Sequence, residues 1–307
     1  MKNKHKCNLI VILGPTASGK TSLAARLAKE LHSEIISADS RQVYIGMDIG
    51  TGKDLDEYIV EGETIPHHLI DIVEPSHEFS VFEYQKRFFE VFNELSEKGI
   101  TPVMVGGTGL YIESVLKGYA LAEVPTNEKL RKSLEKSSIQ SLAERLRDLN
   151  PQLHNTTDLL DRNRLVRAIE IADFTKNNGI KEQRPEIHPL VLGIRWDRKI
   201  LRERITRRLK ERLNSGMTEE VEALHASGIS WEKIDFFGLE YRYIGQFLQG
   251  KINYNDMFQK LNSAIHKFAK RQETWFRRME KQGIKIHWVE DADYDTLKSL
   301  VFNELSA

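Results

Sequence analysis

An apolar run, Leu9-Ile10-Val11-Ile12-Leu13, leads straight into Gly14-Pro15-Thr16-Ala17-Ser18-Gly19-Lys20-Thr21, and a helical pattern from Thr21 to Leu31 follows at once. This is a strand, a glycine-rich loop closed by Gly-Lys-Thr, and a helix, the setting in which such a loop cradles phosphate. Gly14 and Gly19 let the backbone curl so that several N–H groups converge. The start of the following helix adds positive potential at the same place. Lys20 supplies a cation, and Thr21 a hydroxyl for Mg²⁺. Residues 14–21 therefore bind a di- or triphosphate, but the motif does not say whether that phosphate belongs to a nucleotide.

Strand and helix patterns alternate on either side of this loop. Residues 8–13 read as a buried strand and 20–32 as a helix. Glu34 to Asp39 reads as a second strand ending on an acid, placed beside the first. Pro66 to Ile72 is a short edge element. Ser80 with Glu83 makes a capping box that starts a helix, and Gly99 stops it. Pro102 to Val105 is a third strand running into Gly106-Gly107-Thr108-Gly109 and a helix to Leu116. Strands that alternate with helices give a parallel sheet covered on both faces.

From Val124 to about Glu186 only helical patterns occur, broken at Asn150-Pro151, Asn155-Thr156-Thr157 and Asn177-Asn178-Gly179. Strand character returns at Leu190–Ile194 and at Ile284–Val289. The expected organisation is an α/β core of residues 1–121 and 187–307, interrupted by an all-helical insert at 122–186.

Lys+Arg and Asp+Glu balance at 45 each, so the net charge argues for no partner, but the charges are unevenly placed. Between Arg195 and Arg212 there are nine Lys/Arg against three acids, and between Ala264 and Lys285 seven against two. In the first segment Leu201, Ile205, Leu209 and Leu213 form one apolar stripe, with Arg204 and Arg208 a turn apart. In the second, Lys267, Lys270, Arg271 and Arg278 fall together, away from Ile265, Phe268, Ala269, Phe276 and Met279. Two one-sided basic helices fit a nucleic-acid backbone; they also fit a pair of solvated surface helices.

Asp39, at the carboxyl end of its strand, lies where open α/β sheets bind ligands. Three roles stay open for it: support of Mg²⁺, general base, or cap of the next turn. Ser40, Arg41, Gln42 and Tyr44 add a donor, a cation, an amide and an aromatic suited to a planar nitrogenous base. Thr108, in the second glycine turn, is either a substrate contact opposite the phosphate loop or part of a simple strand-to-helix turn. His67 and His68 are adjacent and face opposite ways, so they read as structural. The single cysteine, Cys7, excludes an internal disulfide and a multi-cysteine zinc site. No stretch is long enough for a membrane span, and the basic start reaches too short an apolar run for a signal segment. The expectation is a cytoplasmic protein.

Taken together, residues 14–21, Ala38–Tyr44, Gly46–Thr51, Pro66–Asp71, Gly106–Ile112 and Phe268–Phe276 resemble the bacterial tRNA dimethylallyltransferases, or tRNA isopentenyl transferases, over nearly the whole chain. The resemblance implies a P-loop NTPase-like core with a helical insert. It implies transfer of a dimethylallyl group from dimethylallyl diphosphate to the N6 amine of adenosine 37, next to the tRNA anticodon. The loop Gly14, Pro15, Thr16, Ala17, Ser18, Gly19, Lys20 and Thr21 would hold the donor's diphosphate, with Mg²⁺ at Thr21. Asp39 matches the family's general base, and Arg204 or Arg208 its diphosphate arginine. Contacts to the anticodon stem-loop would come from Asp39, Ser40, Arg41, Gln42 and Thr108, from Arg131, Arg164 and Arg167 in the insert, and from Lys270 and Arg271. Where the family carries Gly-Tyr-Arg, this chain reads Gly238-Leu239-Glu240-Tyr241-Arg242, which leaves the role of Arg242 open. A monomer is expected.

Two other functions compete. An ATP-dependent small-molecule or nucleoside kinase would use Lys20, Thr21 and Asp39 for phosphoryl transfer, but it has no use for basic helices or an insert. A non-catalytic RNA-binding protein would not need the Lys20-Thr21 pair. No apolar run ends in Asp-Glu, which argues against an ATP-driven motor.

Overall fold

The computed structural model describes residues 7–119, 121, 124–149, 161–178 and 184–306. They divide into two units, Met1–Gly118 with Pro185–Ala307, and Tyr119–Arg184. In chain order the strands are β1 (Leu9–Leu13), β2 (Ile35–Ser37), β3 (Ile59–Val60), β4 (Glu63–Thr64), β5 (His67–His68), β6 (Val103–Gly106), β7 (Pro189–Arg195) and β8 (His287–Glu290). The helices are α1 (Lys20–Leu31), α2 (Val81–Glu97) and α3 (Gly109–Leu116), then α4 (Glu128–Leu134), α5 (Ile139–Leu149) and α6 (Arg162–Asn178) in the smaller unit. They continue with α7 (Arg198–Asn214), α8 (Met217–Ala226), α9 (Trp231–Phe236), α10 (Leu239–Leu248), α11 (Tyr254–Lys281) and α12 (Tyr294–Leu305).

Six strands form one sheet in the order β5-β2-β6-β1-β7-β8, and every pairing is parallel. β3 and β4 form a separate antiparallel ribbon. The five residues of β1 are fully buried because both faces of the sheet are covered. Ile10 and Ile12 pack with α1 and α12 on one face, while Leu9, Val11 and Leu13 pack with α2, α3 and Phe276 of α11 on the other. Burying each such side chain is worth about 1.5–3 kcal/mol. A third cluster joins α7–α11 to Ala17, Val43 and Tyr44 beside the phosphate loop.

Several local expectations agree with the structure. Ser80 and Glu83 form a reciprocal capping box at the start of α2. His67 and His68 occupy the edge strand, where His67 meets the Ile65 carbonyl and His68 the Glu34 carboxylate. Helices α8–α10 and α12 are not singled out by the sequence patterns.

The strand order corrects one expectation. β2 does not lie beside β1, because β6 lies between them. The β1–α1–β2 crossover leaves one strand's width, and the wholly buried Val-Met-Val-Gly of β6 fills it. β2 also ends at Ser37, two residues before Asp39. The consequence is local to the site: the glycine turn after β6 lies next to the phosphate loop, and Asp39 lies beyond that turn.

The smaller unit packs Leu134, Leu142, Ala143, Leu146, Leu165 and Ile169 into its own core. The breaks read at Asn150-Pro151 and Asn155 to Thr157 lie outside the described residues. Beside that core, the buried Glu170 carboxylate accepts a bidentate pair from Arg131 at 2.8 and 3.0 Å and another bond from Arg167 at 3.1 Å. Burial opposes the charge of Glu170, but the arginines and the Asn127 N–H outweigh it and hold the carboxyl down at about 2. A depressed carboxyl pKa stabilises the fold fully above the ordinary 4.5, and the contribution is lost as pH falls towards 2. Glu170→Ala is expected to destabilise this unit by about 3 kcal/mol at neutral pH. Thermal unfolding checks this, and the deficit should shrink as the buffer is acidified towards pH 2.

Candidate active site

The phosphate loop turns off the carboxyl end of β1. Gly19 ends it at φ 81°, a left-handed conformation that suits glycine, and α1 starts at the next residue. The loop is tied down from outside. Gln272 of α11 accepts the Thr16 N–H at 2.9 Å and donates to the Gly107 carbonyl at 2.9 Å, so one amide fixes both glycine turns. Trp196 donates its indole N–H to the Ser18 carbonyl at 2.9 Å. Arg204 donates to the Ala17 carbonyl at 2.8 Å, and its guanidinium lies 4.3 Å over the Trp196 ring.

Two hydroxyls in the loop have no partner among the described residues. Ser18 Oγ is buried without a hydrogen bond, and Thr21 Oγ1 makes none. Leaving the buried Ser18 hydroxyl unpaired is costly, and a cradle for oxyanions accounts for it; the half-buried Thr21 hydroxyl is open to a cation or to water. Among the described residues, Lys20 hydrogen-bonds only the Pro15 carbonyl, at 3.4 Å. Burial, then repulsion from Arg208, lowers its pKa to about 8, partly offset by Asp39 and Glu57.

A cavity of about 600 Å³ opens beside Ala17 and Gly19, lined by Arg204, Arg208, Arg212, Asp54 and Glu57. Asp54 pairs with both Arg208 and Arg212, the latter at 2.9 Å. Of the two arginines proposed for the diphosphate, Arg204 bonds the loop itself and Arg208 stands one turn on, and both face this cavity. The sequence gives no signal for Asp54 or Arg212, whose pairing joins a loop to a helix 158 residues away.

Asp39 is half-buried, and its Oδ1 accepts the Arg41 N–H at 3.0 Å, which caps a turn. The next residues are bonded to the β6 turn. Thr108 N–H donates to the Ala38 carbonyl at 3.1 Å, and the Ser40 N–H donates to Thr108 Oγ1 at 3.0 Å. Gly106 permits this approach, since a Cβ there would lie 2.2 Å from the Ala38 carbonyl oxygen. Gln42 is buried, and its amide is engaged by Ser37 at 3.0 Å and the Gly52 carbonyl at 2.9 Å. Lys53, wholly buried, holds the same segment through the Tyr44 carbonyl, Asp48 and Asp71. Glu240 of α10 senses Arg212, Arg208 and Asp39, and burial pushes its carboxyl up. Arg242 pairs with Asp235 at 2.8 Å.

Lys270 and Arg271 are exposed on α11, as the sequence suggests. Arg278 is not on that face: its guanidinium pairs with the buried Glu113 at 2.6 Å and lies 3.9 Å over Trp275. A buried acid on α3 captures it, and the sequence pattern of α11 alone carries no sign of Glu113. In the smaller unit, Arg131 and Arg167 spend bonds on Glu170, while Arg164 is exposed.

The parallel sheet with a Gly-Lys-Thr loop at its carboxyl edge defines a P-loop-type α/β fold. A family model described as IPP transferase matches residues 42–279. The tRNA dimethylallyltransferase 1 of Syntrophus aciditrophicus is 59% identical over 293 residues, covering 95% of this chain and 96% of that protein. That of Geotalea uraniireducens is 60% identical over 292 residues, with 95% of each chain covered. The solved full-length tRNA isopentenylpyrophosphate transferase of Bacillus halodurans superposes with a TM-score of 0.71 at 31% identity, covering 98% of this chain and 97% of that one. The chain belongs to the IPP transferase family. Among the described residues, no helix is long and apolar enough to cross a membrane.

Proposed function

We propose that this protein transfers the dimethylallyl group of dimethylallyl diphosphate to the N6 amine of adenosine 37 in tRNA, with residues 14–21 holding the donor's diphosphate and Asp39 acting as the base. The observation that supports this reading is the bonding of both glycine turns by Gln272, with residues 14–21 and the Ser40–Thr108 contact at one edge of the sheet.

The chemistry follows from those positions. The allylic C–O bond breaks, positive charge spreads over the five-carbon group, and negative charge collects on the departing diphosphate. Lys20, the loop N–H groups and Arg204 or Arg208 stabilise that charge as it forms. The adenine amine is a weak nucleophile, because its lone pair is delocalised into the ring. As the new N–C bond forms, Asp39 accepts the amine proton. The target base must leave its stack to reach this site, which suits a base in a loop.

Mg²⁺ fits the cradle through the unpartnered Thr21 hydroxyl and would neutralise charge on the diphosphate. Among the described residues no cluster of three acids, histidines or cysteines could hold a metal by itself, so diphosphate oxygens and water would complete its shell.

The exposed face of α11 would hold the anticodon stem by its phosphates. Reversing charge at Lys270 and Arg271 is expected to weaken tRNA binding and to reduce the slope of log affinity against log salt by about 2. Filter binding across a salt series checks this; an unchanged slope would assign that face to solvent. The reading as a whole is tested by digesting reacted tRNA with ribonuclease and weighing the fragments. One anticodon-loop fragment should gain one five-carbon unit on a single adenosine. Modification elsewhere would overturn the assignment of the acceptor.

A further inference from the structure

Phe236, the last residue of α9, is 50% exposed, while its neighbour Phe237 is fully buried. One side of the ring meets Phe237 edge-on at 6.2 Å between centroids, and the other is left in water. Its surroundings are cationic. The Arg41 guanidinium lies 5.2 Å from the ring centroid and donates to the Phe236 carbonyl at 3.0 Å. The Lys233 ammonium lies 5.1 Å from the same ring. Of the two acids on α9, Asp235 is paired with Arg242 at 2.8 Å, and Glu232 lies one turn before the ring. Arg41 in turn donates its backbone N–H to Asp39. The ring therefore sits two residues of bonding away from the acceptor aspartate.

An exposed aromatic flanked by cations is the arrangement with which proteins hold single-stranded nucleic acid, the ring stacking on a base and the cations pairing with phosphates. When the acceptor adenosine leaves the anticodon stack, the nucleotides on either side each lose a stacking partner. We propose that Phe236 stacks on the base of a nucleotide adjacent to the acceptor adenosine, with Arg41 and Lys233 pairing the flanking phosphates. This rests on the reading of the protein as a tRNA prenyltransferase and adds a residue that holds the RNA open at the site.

The test uses the whole protein and an anticodon stem-loop RNA carrying 2-aminopurine next to the acceptor adenosine, on one side or the other. With wild-type protein, one of the two probes should stay quenched in the complex. With Phe236→Ala that probe should brighten, and stem-loop affinity should fall about 5- to 150-fold; Phe236→Trp should restore both. An RNA abasic at that nucleotide should bind wild type as weakly as intact RNA binds Phe236→Ala, with no further loss when the two changes are combined. Equal probe brightness in wild type and Phe236→Ala on both sides, or additive losses with the abasic RNAs, would overturn the inference. Unchanged binding of dimethylallyl diphosphate to Phe236→Ala controls for folding. Prenylation of the stem-loop by wild type separates this inference from the functional reading: if wild type fails to prenylate, that reading falls; if it succeeds and the variant behaves identically, only the role of Phe236 does.

Discussion

Replacing Asp39 with alanine is expected to slow prenyl transfer by about 10²- to 10⁴-fold, the usual worth of a positioned general base. The loss should fall on kcat, with tRNA affinity within a few-fold of wild type. The reason is geometric. The segment around Asp39 is held by bonds that do not need its side chain: Ala38 to Val105, Thr108 to Ala38 and Ser40 to Thr108. Only the bond from the Arg41 N–H disappears. The loop should therefore keep its shape while losing the carboxylate proposed to take the amine proton. Single-turnover rates with saturating donor and tRNA measure the effect, and a variant with full activity would remove Asp39 from the chemistry.

Lys20→Met should weaken binding of dimethylallyl diphosphate and lower kcat by about 10²- to 10³-fold, the loss seen when one preorganised donor to an oxyanion is removed. The same change should make the empty protein more resistant to heat at neutral pH. Lys20 is a desolvated cation whose pKa is lowered from 10.5 to about 8. A base with a depressed native pKa costs stability at every pH below about 8, and that cost fades as pH rises from 8 to 10.5. The uncharged variant escapes it. The wild type should also bind donor more weakly as pH rises through about 8, since the free protein then loses the ammonium. Calorimetric titration with the donor across that range, beside melting curves of both proteins, checks both signs. Unchanged donor affinity in the variant would mean that the loop serves another ligand.

What the sequence reveals and what it hides divide along physical lines. The phosphate loop, the capping box of α2 and the buried strands are local. Their residue types follow from backbone conformation or from a hydrophobic period of a few residues, and they can be read directly. Order within the sheet is not local: nothing in Ile35–Ser37 says that Val103–Gly106 will come between it and Leu9–Leu13. Placing Asp39 beside the phosphate-loop strand was the natural expectation, and the sheet corrects it. Partnerships across long stretches of chain are hidden for the same reason. Gln272 meets Thr16 and Gly107, Arg212 meets Asp54, and Glu113 draws Arg278 off the basic face only because α11, α7 and α3 pack where they do. Arg131 and Arg167 illustrate the limit. Their charges are plain in the sequence, but the buried Glu170 that engages them is visible only once α4 and α6 are packed.

The most direct measurement incubates the purified protein and Mg²⁺ with unmodified tRNA and dimethylallyl diphosphate carrying a label on its five-carbon group, with ATP supplied separately as a rival substrate. Label should pass to tRNA in proportion to released diphosphate, with or without ATP. If tRNA stays unlabelled while ATP is consumed, the phosphate loop serves a nucleotide, and the assignment of Asp39 as base to an adenine amine is wrong.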